Sequence, residues 1–435
     1  MLIRSLRKDA RKAGKFCSSL WKLLLVLCLI AGVPAAAEQI DESQILRALD
    51  ELTGVAARVR GLELKGPIQK GIKSREEITG YMARKINEDY QMDRILLEEK
   101  MLKKTGLLPE KIDYQQTVID LLTEQVQGFY DPEERMLFIA SWLPMSDQES
   151  VMTHEIAHAL QDQHFDLQAR FRANRNSDND DYLLAQQALF EGDATVTALQ
   201  FTVEPLNRHF SDLPNLAFIM ETQMDAEMSK SPALSTTPRF LRETLIFPYG
   251  YGAAFLQEAW KRNPSWEAVN KIYSDPPVSS EQIMHPEKYY GTRDNPKPVN
   301  AAEKAAKLGA EWKIPYKSVF GEFMLGQMLE LHMSKDRARR AAAGWGGDEV
   351  LLLENGTGRN AVWIETEWDT GDDAEKFFAA MDDWFRLRYS KVSRRVTPEG
   401  FLLIQNGEFS ALFREGASVR IILGLPEADG KKLYE

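Results

Sequence analysis

Cysteine is almost absent from this chain of 435 residues. The two cysteines, Cys17 and Cys28, both lie within the first 37 residues, and residues 38–435 have none. Disulfide bonds therefore cannot stabilise the larger part of the chain, whose stability must come from packing or from a bound metal.

An apolar run long enough to cross a membrane is missing from the N-terminal segment. The run Leu23–Val33 has 11 residues, short of the ~20 that a spanning helix needs. Basic residues precede it and Ala35-Ala36-Ala37 follows, which is the order of a secretory signal and its cleavage site. We therefore expect residues 1–37 to be a cleaved signal peptide, with an uncleaved anchor as the alternative. The protein is then exported to the periplasm, the cell surface or the medium, with no stable membrane span after cleavage.

Basic tracts are also missing from the rest of the chain. Residues 1–37 hold seven of the 54 Lys and Arg residues and one of the 65 Asp and Glu residues. Residues 38–435 therefore carry 47 basic and 64 acidic residues, a net charge of −17. This balance argues against a nucleic-acid partner and favours solubility.

The order of predicted elements indicates three regions after the signal, within an α+β chain. Residues 38–112 are predicted to be a mostly helical N-terminal region. Residues 113–300 begin with a helix and a β-hairpin that includes Met136–Ala140, and helices follow at about 147–164 and 181–203. Residues 301–435 are predicted to be helices followed by a small α+β domain. Its predicted elements are strands at Val350–Glu354 and Ala361–Trp368, a helix near 372–389, a hairpin turning at Asn406-Gly407 and a strand at Ser418–Leu423.

Histidine is scarce, yet three of the six histidines fall within eleven residues. His154 and His158 are four residues apart, so on a helix they lie one turn apart on one face, about 40° from each other. Two imidazoles so placed can bind one Zn²⁺. Glu155 lies to one side, where it can take a proton from a metal-activated water. The alternative is a pair of buried histidines on an ordinary amphipathic helix.

A catalytic zinc site needs a third protein ligand, and two residues compete for that position. Glu191 lies on the next predicted helix, where Gly192 permits close packing. His164 follows His158 by six residues, the metzincin spacing, but a continuous helix would turn it about 240° away. We therefore favour Glu191 and expect His164 to be a helix-end histidine.

Several further residues are candidates for substrate binding or support. Met136–Ala140 could be an edge strand that pairs with an extended peptide, or a strand of the sheet core. His285 could donate a hydrogen bond to the oxyanion, with Tyr249 and Tyr251 as rivals. Asp193 could orient a metal ligand, although a surface position on its helix is the simpler interpretation.

The segments that carry these residues resemble a poorly characterised family of exported bacterial and archaeal proteins with a gluzincin-like zinc motif. The resembling segments are Gly128–Pro132, His154–Leu167, Phe190–Thr195, Ser280–Tyr289 and Gly344–Asp348. The resemblance implies a zincin-like metallopeptidase domain, mostly helical with a small sheet, that spans residues 113–300. It also implies Zn²⁺ on His154, His158 and Glu191, with Glu155 as the base. Thermolysin-like enzymes carry an aspartate four residues after the glutamate ligand, where this chain has Thr195.

These observations predict an exported zinc peptidase that hydrolyses peptide bonds of a peptide or protein substrate by a zinc-activated water, with Glu155 as general base. The alternative is a scaffold protein of the cell envelope that keeps the zinc fold without hydrolysis. The helical region 38–112 could cover the cleft or act as a regulatory prosegment. The sequence leads to no prediction of oligomeric state.

Overall fold

The computed structural model describes residues 42–89, 92–142, 145–174, 177–228 and 232–433. The predicted signal peptide lies outside these residues. The α-helices are α1 (Glu42–Arg60), α2 (Arg75–Asp89), α3 (Met92–Thr105), α4 (Tyr114–Gln125), α5 (Met145–Phe165), α6 (Leu167–Asn174), α7 (Asp180–Val203), α8 (Leu216–Met228), α9 (Pro232–Thr236), α10 (Arg239–Arg262), α11 (Trp266–Ile272), α12 (Ser280–Met284), α13 (Glu287–Tyr290), α14 (Ala301–Ala305), α15 (Gly321–Glu330), α16 (Lys335–Ala342), α17 (Gly371–Arg388) and α18 (Glu427–Lys431). The strands are β1 (Gln69–Lys73), β2 (Gly128–Asp131), β3 (Met136–Ala140), β4 (Trp312–Ser318), β5 (Trp345–Asn355), β6 (Asn360–Trp368), β7 (Arg394–Thr397), β8 (Gly400–Gln405), β9 (Glu408–Glu415) and β10 (Ser418–Pro426). The chain is thus an α+β protein with two sheets, as predicted.

The N-terminal region is mostly helical, as its periodicity predicts, and α1 is part of the main body. Its apolar face is buried and packs against α5 and α7. α2 begins with a capping box in which the Ser74 amide donates to Glu77 and the Glu77 amide donates to the Ser74 hydroxyl. Among the described helices, none is both long and apolar enough to cross a membrane.

The small sheet has the strand order β1-β3-β2. β2 and β3 form the predicted antiparallel hairpin, and β1 pairs in parallel with the other side of β3. The interpretation of Met136–Ala140 as a substrate-pairing edge strand is therefore wrong, because its hydrogen-bonding groups already face strands on both sides. β1 comes from the predicted helical region and occupies the place that a substrate strand would need.

Two long helices, α7 and α10, cross with their backbones in contact. A side chain at Gly192 would meet the Gly252 backbone at 2.3 Å, and one at Gly252 would meet the Ala188 carbonyl oxygen at 1.9 Å. Glycine at both positions is therefore needed for this crossing. The crossing confirms the expected close packing at Gly192 and brings the middle of α10 next to Glu191.

The C-terminal region forms a seven-stranded sheet in the order β4-β5-β6-β10-β9-β8-β7. The five predicted strands of this region, two of which form the Asn406-Gly407 hairpin, and the helix near 372–389 are all confirmed. β4 and β7 at the two edges are additional. One hydrophobic cluster contains residues from Ile78 to Leu423, so packing continues across both predicted region boundaries.

Candidate metal centre

The helix α5 presents His154 and His158 to the interior because its opposite face is apolar. Val151, Ile156 and Ala159 are buried in a cluster with α1 and the small sheet. Their burial fixes the rotation of α5 about its axis, as the sequence predicts. The two histidines are consequently held inside the protein, with 3% and 1% of their surfaces exposed.

The helix α7 presents Glu191 from the opposite side. The Asn179 side chain caps α7 by accepting a hydrogen bond from the Tyr182 amide, so capping accounts for the acidic stretch at its start. Nearly the whole helix is buried, and Glu191 itself is 0% exposed. Such a carboxylate requires a positive partner inside the protein.

The two histidines and Glu191 form a nearly equilateral triangle. The His154 Nε2 atom lies 3.1 Å from His158 Nε2 and 3.1 Å from Glu191 Oε2, and His158 Nε2 lies 3.3 Å from Glu191 Oε2. Tetrahedral zinc with bonds of about 2.0–2.1 Å separates its ligand atoms by about 3.3 Å. The three residues therefore form a group that could hold a metal ion.

Gln161 fixes the orientation of His158. The His158 Nδ1 atom lies 2.9 Å from Gln161 Oε1, and Gln161 Nε2 donates to the Phe190 carbonyl oxygen on α7 at 3.0 Å. Because the amide nitrogen is committed to Phe190, the amide oxygen accepts the proton from Nδ1. This leaves the Nε2 lone pair free to face the triangle. No local sequence signal points to this role of Gln161.

Asp193 lies on α7, two residues after Glu191, and connects this helix to other parts of the chain. It is 0% exposed and accepts hydrogen bonds from Arg60 Nε at 2.5 Å, Arg60 Nη2 at 2.9 Å and the Tyr273 hydroxyl at 2.5 Å. The interpretation of Asp193 as a surface acid is wrong, because Arg60 of α1 and Tyr273, which follows α11, cover it. Arg60 also donates to Asn270 and lies over the Trp266 ring. No sequence signal near Arg60 pointed to this role, since the two charges are 133 residues apart.

The electrostatics of the triangle favour a cation. Burial works to raise the pKa of Glu191, but the two imidazoles lower it below its usual value. Burial also works to lower the pKa of His158, but the Glu191 charge raises it to about 9. Burial lowers the pKa of His154, so only one of the two rings favours a proton. The site thus stabilises one positive charge beside Glu191, which a metal ion could supply instead.

Glu155 is buried at 0% exposure on the same helix. Neither carboxylate oxygen has a hydrogen-bond partner of normal geometry in the described part of the chain. Burial raises the pKa of this group well above its usual value, whereas His158 and the Tyr130 amide oppose the rise. The Gln127 carbonyl accepts from Ala140, so the register places the amide of Tyr130 on the side of β2 away from β3. β2 therefore directs a main-chain donor toward Glu155.

Of the three candidate oxyanion donors, only Tyr249 lies at the triangle. Its ring is stacked on His154 with centroids 6.0 Å apart and planes inclined by 27°. The Tyr251 hydroxyl donates to Glu221 at 2.9 Å. The His285 Nε2 atom lies 2.8 Å from Glu322 Oε1 on α15. Among the described residues, His285 is thus paired with Glu322 and not with a member of the triangle, and its oxyanion role stays a prediction.

His164, the other candidate for the third ligand, contacts the segment after α1. The His164 Nε2 atom lies 2.7 Å from the Glu63 carbonyl oxygen, close to the C-terminal end of α5. α5 continues without a break to Phe165, so His164 stays on the helix instead of turning back. Its position is that of the helix-end histidine that we expected, and Glu191 completes the triangle.

Two family models match parts of the chain. Residues 88–205, which include the whole triangle and Glu155, match a family described as "Putative metallopeptidase family (DUF6782)". Residues 313–434, which form most of the C-terminal region, match a "Domain of unknown function (DUF8575)". Neither a curated protein nor a solved structure matches the chain. The first match supports a metallopeptidase, and therefore a hydrolase that uses a metal ion on peptide or protein substrates.

Proposed function

We propose that this protein is a zinc-dependent peptidase in which His154, His158 and Glu191 hold the metal and Glu155 is the general base. The observation that carries the proposal is the triangle of three buried ligand atoms with edges of 3.1–3.3 Å. Such spacing matches tetrahedral zinc and leaves one position open for water or substrate. Two imidazole nitrogens and one carboxylate oxygen suit zinc better than Mg²⁺ or Ca²⁺, which prefer oxygen ligands.

The chemistry divides among the chain's own groups. When bound, zinc lowers the pKa of water and polarises the scissile carbonyl. Glu155 accepts a proton from the attacking water and later delivers it to the leaving amine. Its burial and raised pKa suit a group that must alternate between the two protonation states. Gln161 keeps the Nδ1 proton of His158 away from the ligand side.

Tyr249 is our candidate for the group that stabilises the developing oxyanion. It comes from α10, which the Gly192–Gly252 crossing brings against the ligand helix. Its ring is stacked on His154, with the centroids 6.0 Å apart. Tyr249→Phe should therefore lower kcat more than it raises KM.

The substrate strand would lie along β2. β2 is at the free edge of the small sheet, and the amide of Tyr130 points from it toward Glu155. An extended peptide that pairs with this edge would pass the general base. This assignment replaces Met136–Ala140, which is the central strand.

Burial of the centre favours a second candidate, the non-catalytic scaffold. All four residues of the centre are at most 3% exposed, so a polypeptide cannot reach them without a movement of the surrounding elements. In the scaffold hypothesis the metal is structural. The position of Glu155 beside the triangle counts against this, because a structural zinc site has no use for a base next to it.

Export is also part of the proposal. It rests on the basic stretch, the apolar run and the three alanines of residues 1–37. Detection of a mature N-terminus near Glu38 in protein purified from the native host would support it. An intact N-terminus on membrane-bound protein would favour the uncleaved anchor.

The test compares Glu155→Gln with Glu149→Gln, the same change at an exposed position of α5. Zinc-loaded wild type and both variants are incubated with a peptide library, and cleavage is followed by mass spectrometry. We expect about one zinc per chain in all three, and cleavage by wild type and Glu149→Gln only. Wild-type cleavage that survives in Glu155→Gln would contradict the proposed mechanism. Full zinc content without any cleavage, together with unchanged biological activity of Glu155→Gln, would favour the scaffold.

A further inference from the structure

The buried polar groups of α7 fall into two classes that differ in their partners. Gln186 is 3% exposed, and its Nε2 atom donates to the Pro277 carbonyl oxygen at 2.7 Å. Gln187 is also 3% exposed, yet neither its oxygen nor its nitrogen has a hydrogen-bond partner in the described part of the chain. A buried primary amide with no partner carries a desolvation cost that nothing in the protein offsets.

The position of Gln187 on the helix relates it to the metal centre. It precedes Glu191 by four residues, so the two side chains lie on the same face, about 40° and 6 Å apart along the axis. Gln186 lies about 140° from Glu191 and faces the segment before α12 instead. The unpaired oxygen Oε1 of Glu191 and both oxygens of Glu155 belong to the same region. Gln187 therefore lies on the face of α7 that carries a ligand of the triangle.

We propose that Gln187 binds the main chain of the substrate, a role that rests on the proposed peptidase function. A primary amide offers one donor and one acceptor side by side, which matches the C=O and N–H of a peptide unit. The rise of about 6 Å from Gln187 to Glu191 equals about two residues of an extended chain, so a substrate that lies along α7 would meet Gln187 about two residues from the scissile bond. Gln187 is in this sense a positioning residue that aligns the substrate with the reacting atoms.

Replacement of Gln187 should affect substrate binding without lowering the stability of the protein. The neighbouring Gln186 is the matched control. Gln187→Leu removes an unpaired amide, so the Tm of the ligand-free protein should stay the same or rise. Gln186→Leu removes a formed hydrogen bond and leaves the Pro277 carbonyl oxygen unpaired, so its Tm should fall. Thermal unfolding of both variants without added ligand measures this difference.

Binding is measured with three probes on the zinc-loaded full chain. Acetohydroxamate reaches only the metal, whereas two peptide hydroxamates extend from the metal in opposite directions along the cleft. We expect Gln187→Leu to bind acetohydroxamate as wild type does and to lose about tenfold or more in affinity for one peptide hydroxamate. Gln186→Leu should bind all three probes as wild type does.

The outcomes distinguish this inference from the function on which it rests. Unchanged affinities of Gln187→Leu for both peptide hydroxamates would overturn the inference. A fall in Tm as large as that of Gln186→Leu would also overturn it. If the wild type binds no hydroxamate although it holds one zinc per chain, the proposed function fails and the inference fails with it.

Discussion

Two groups of three potential metal ligands exist among the described residues, and they differ in how their charge is neutralised. One is the triangle of His154, His158 and Glu191. The other consists of Glu281, Asp294 and Asp369, and there the Lys288 ammonium lies 2.5–3.0 Å from all three carboxylates. The second group therefore carries its own cation, which occupies the place of a metal ion. Within the described part of the chain, the ion pairs of the triangle are those of Glu191 with His154 and His158, and no Lys or Arg neutralises it.

The comparison shows that proximity of carboxylates alone does not define a metal site. Burial raises the pKa of Glu281 to about 8, while the bond from Lys288 opposes this rise. A metal ion would have to displace an ammonium that is already held by three acids. At the triangle, as far as the described residues extend, a metal ion competes with a proton on His158. The imidazole nitrogens and the missing internal cation together distinguish the catalytic candidate.

The largest effect is expected from loss of a ligand of the triangle. Glu191→Ala should reduce zinc from about one per chain to none, because two imidazoles alone form an incomplete site. His164→Ala should keep the zinc, since its ring contacts the Glu63 carbonyl oxygen. Zinc per chain, measured on purified residues 38–435, checks both. Zinc loss in His164→Ala with retention in Glu191→Ala would reverse the assignment of the third ligand.

A large loss of stability is expected when the buried ion pair between Arg60 and Asp193 is broken. Arg60→Met leaves the Asp193 carboxylate buried without its cation, at a cost of about 3–5 kcal/mol. Arg58→Met is the matched control on the same helix, because the Arg58–Glu204 pair is largely exposed and contributes about 0–1 kcal/mol. Urea unfolding of the zinc-free protein measures both. Equal effects of the two changes would contradict a supporting role for Arg60.

The ion pair between Arg60 and Asp193 also tests the hypothesis that the N-terminal region is a regulatory prosegment. Arg60 of α1 donates to Asp193 on α7, and α1 packs on α5. Proteolytic removal of α1 should therefore unfold the centre instead of activating it. A truncated protein that binds zinc and gains activity would favour the prosegment.

Removal of Lys288 tests the second group, in which this ammonium neutralises three carboxylates. Lys288→Met should cost about 2–3 kcal/mol, less than Arg60→Met, because Lys288 is partly exposed and water can screen the acids. Zinc bound at the triangle should be unchanged. If the variant instead binds a second equivalent of a divalent ion, then the presence of Lys288 alone prevents the second group from binding metal.

A smaller effect is expected at the residue that orients His158. Gln161→Leu removes the acceptor for the Nδ1 proton and should weaken zinc binding about 10–100-fold. At saturating zinc the stoichiometry should remain about one. A chelator competition titration measures the affinity, and an unchanged value would show that the Gln161 contact does not tune the ligand.

The parts of the site that the sequence predicted depend on local periodicity. The pairing of His154 with His158 needs only one turn of α5, and the placement of Glu191 needs only a second helix packed closely through Gly192. The distinction between Glu191 and His164 also followed from helix geometry, because α5 runs on without a break.

The parts that were missed or wrong depend on contacts between distant segments. β1 has the sequence Gln-Lys-Gly-Ile-Lys, with one large apolar residue, so nothing local marked it as a strand. Its pairing 67 residues along the chain turned Met136–Ala140 from a possible edge into the centre of the sheet. Arg60 and Asp193 likewise each resemble surface charges until the tertiary fold brings them together.

The central claim is that one zinc ion binds at the triangle, and anomalous diffraction at the zinc edge from zinc-loaded crystals tests it most directly. We expect one peak about 2.0–2.1 Å from His154 Nε2, His158 Nε2 and Glu191 Oε2. No peak at the triangle, or a peak among Glu281, Asp294 and Asp369 in its place, would contradict the account.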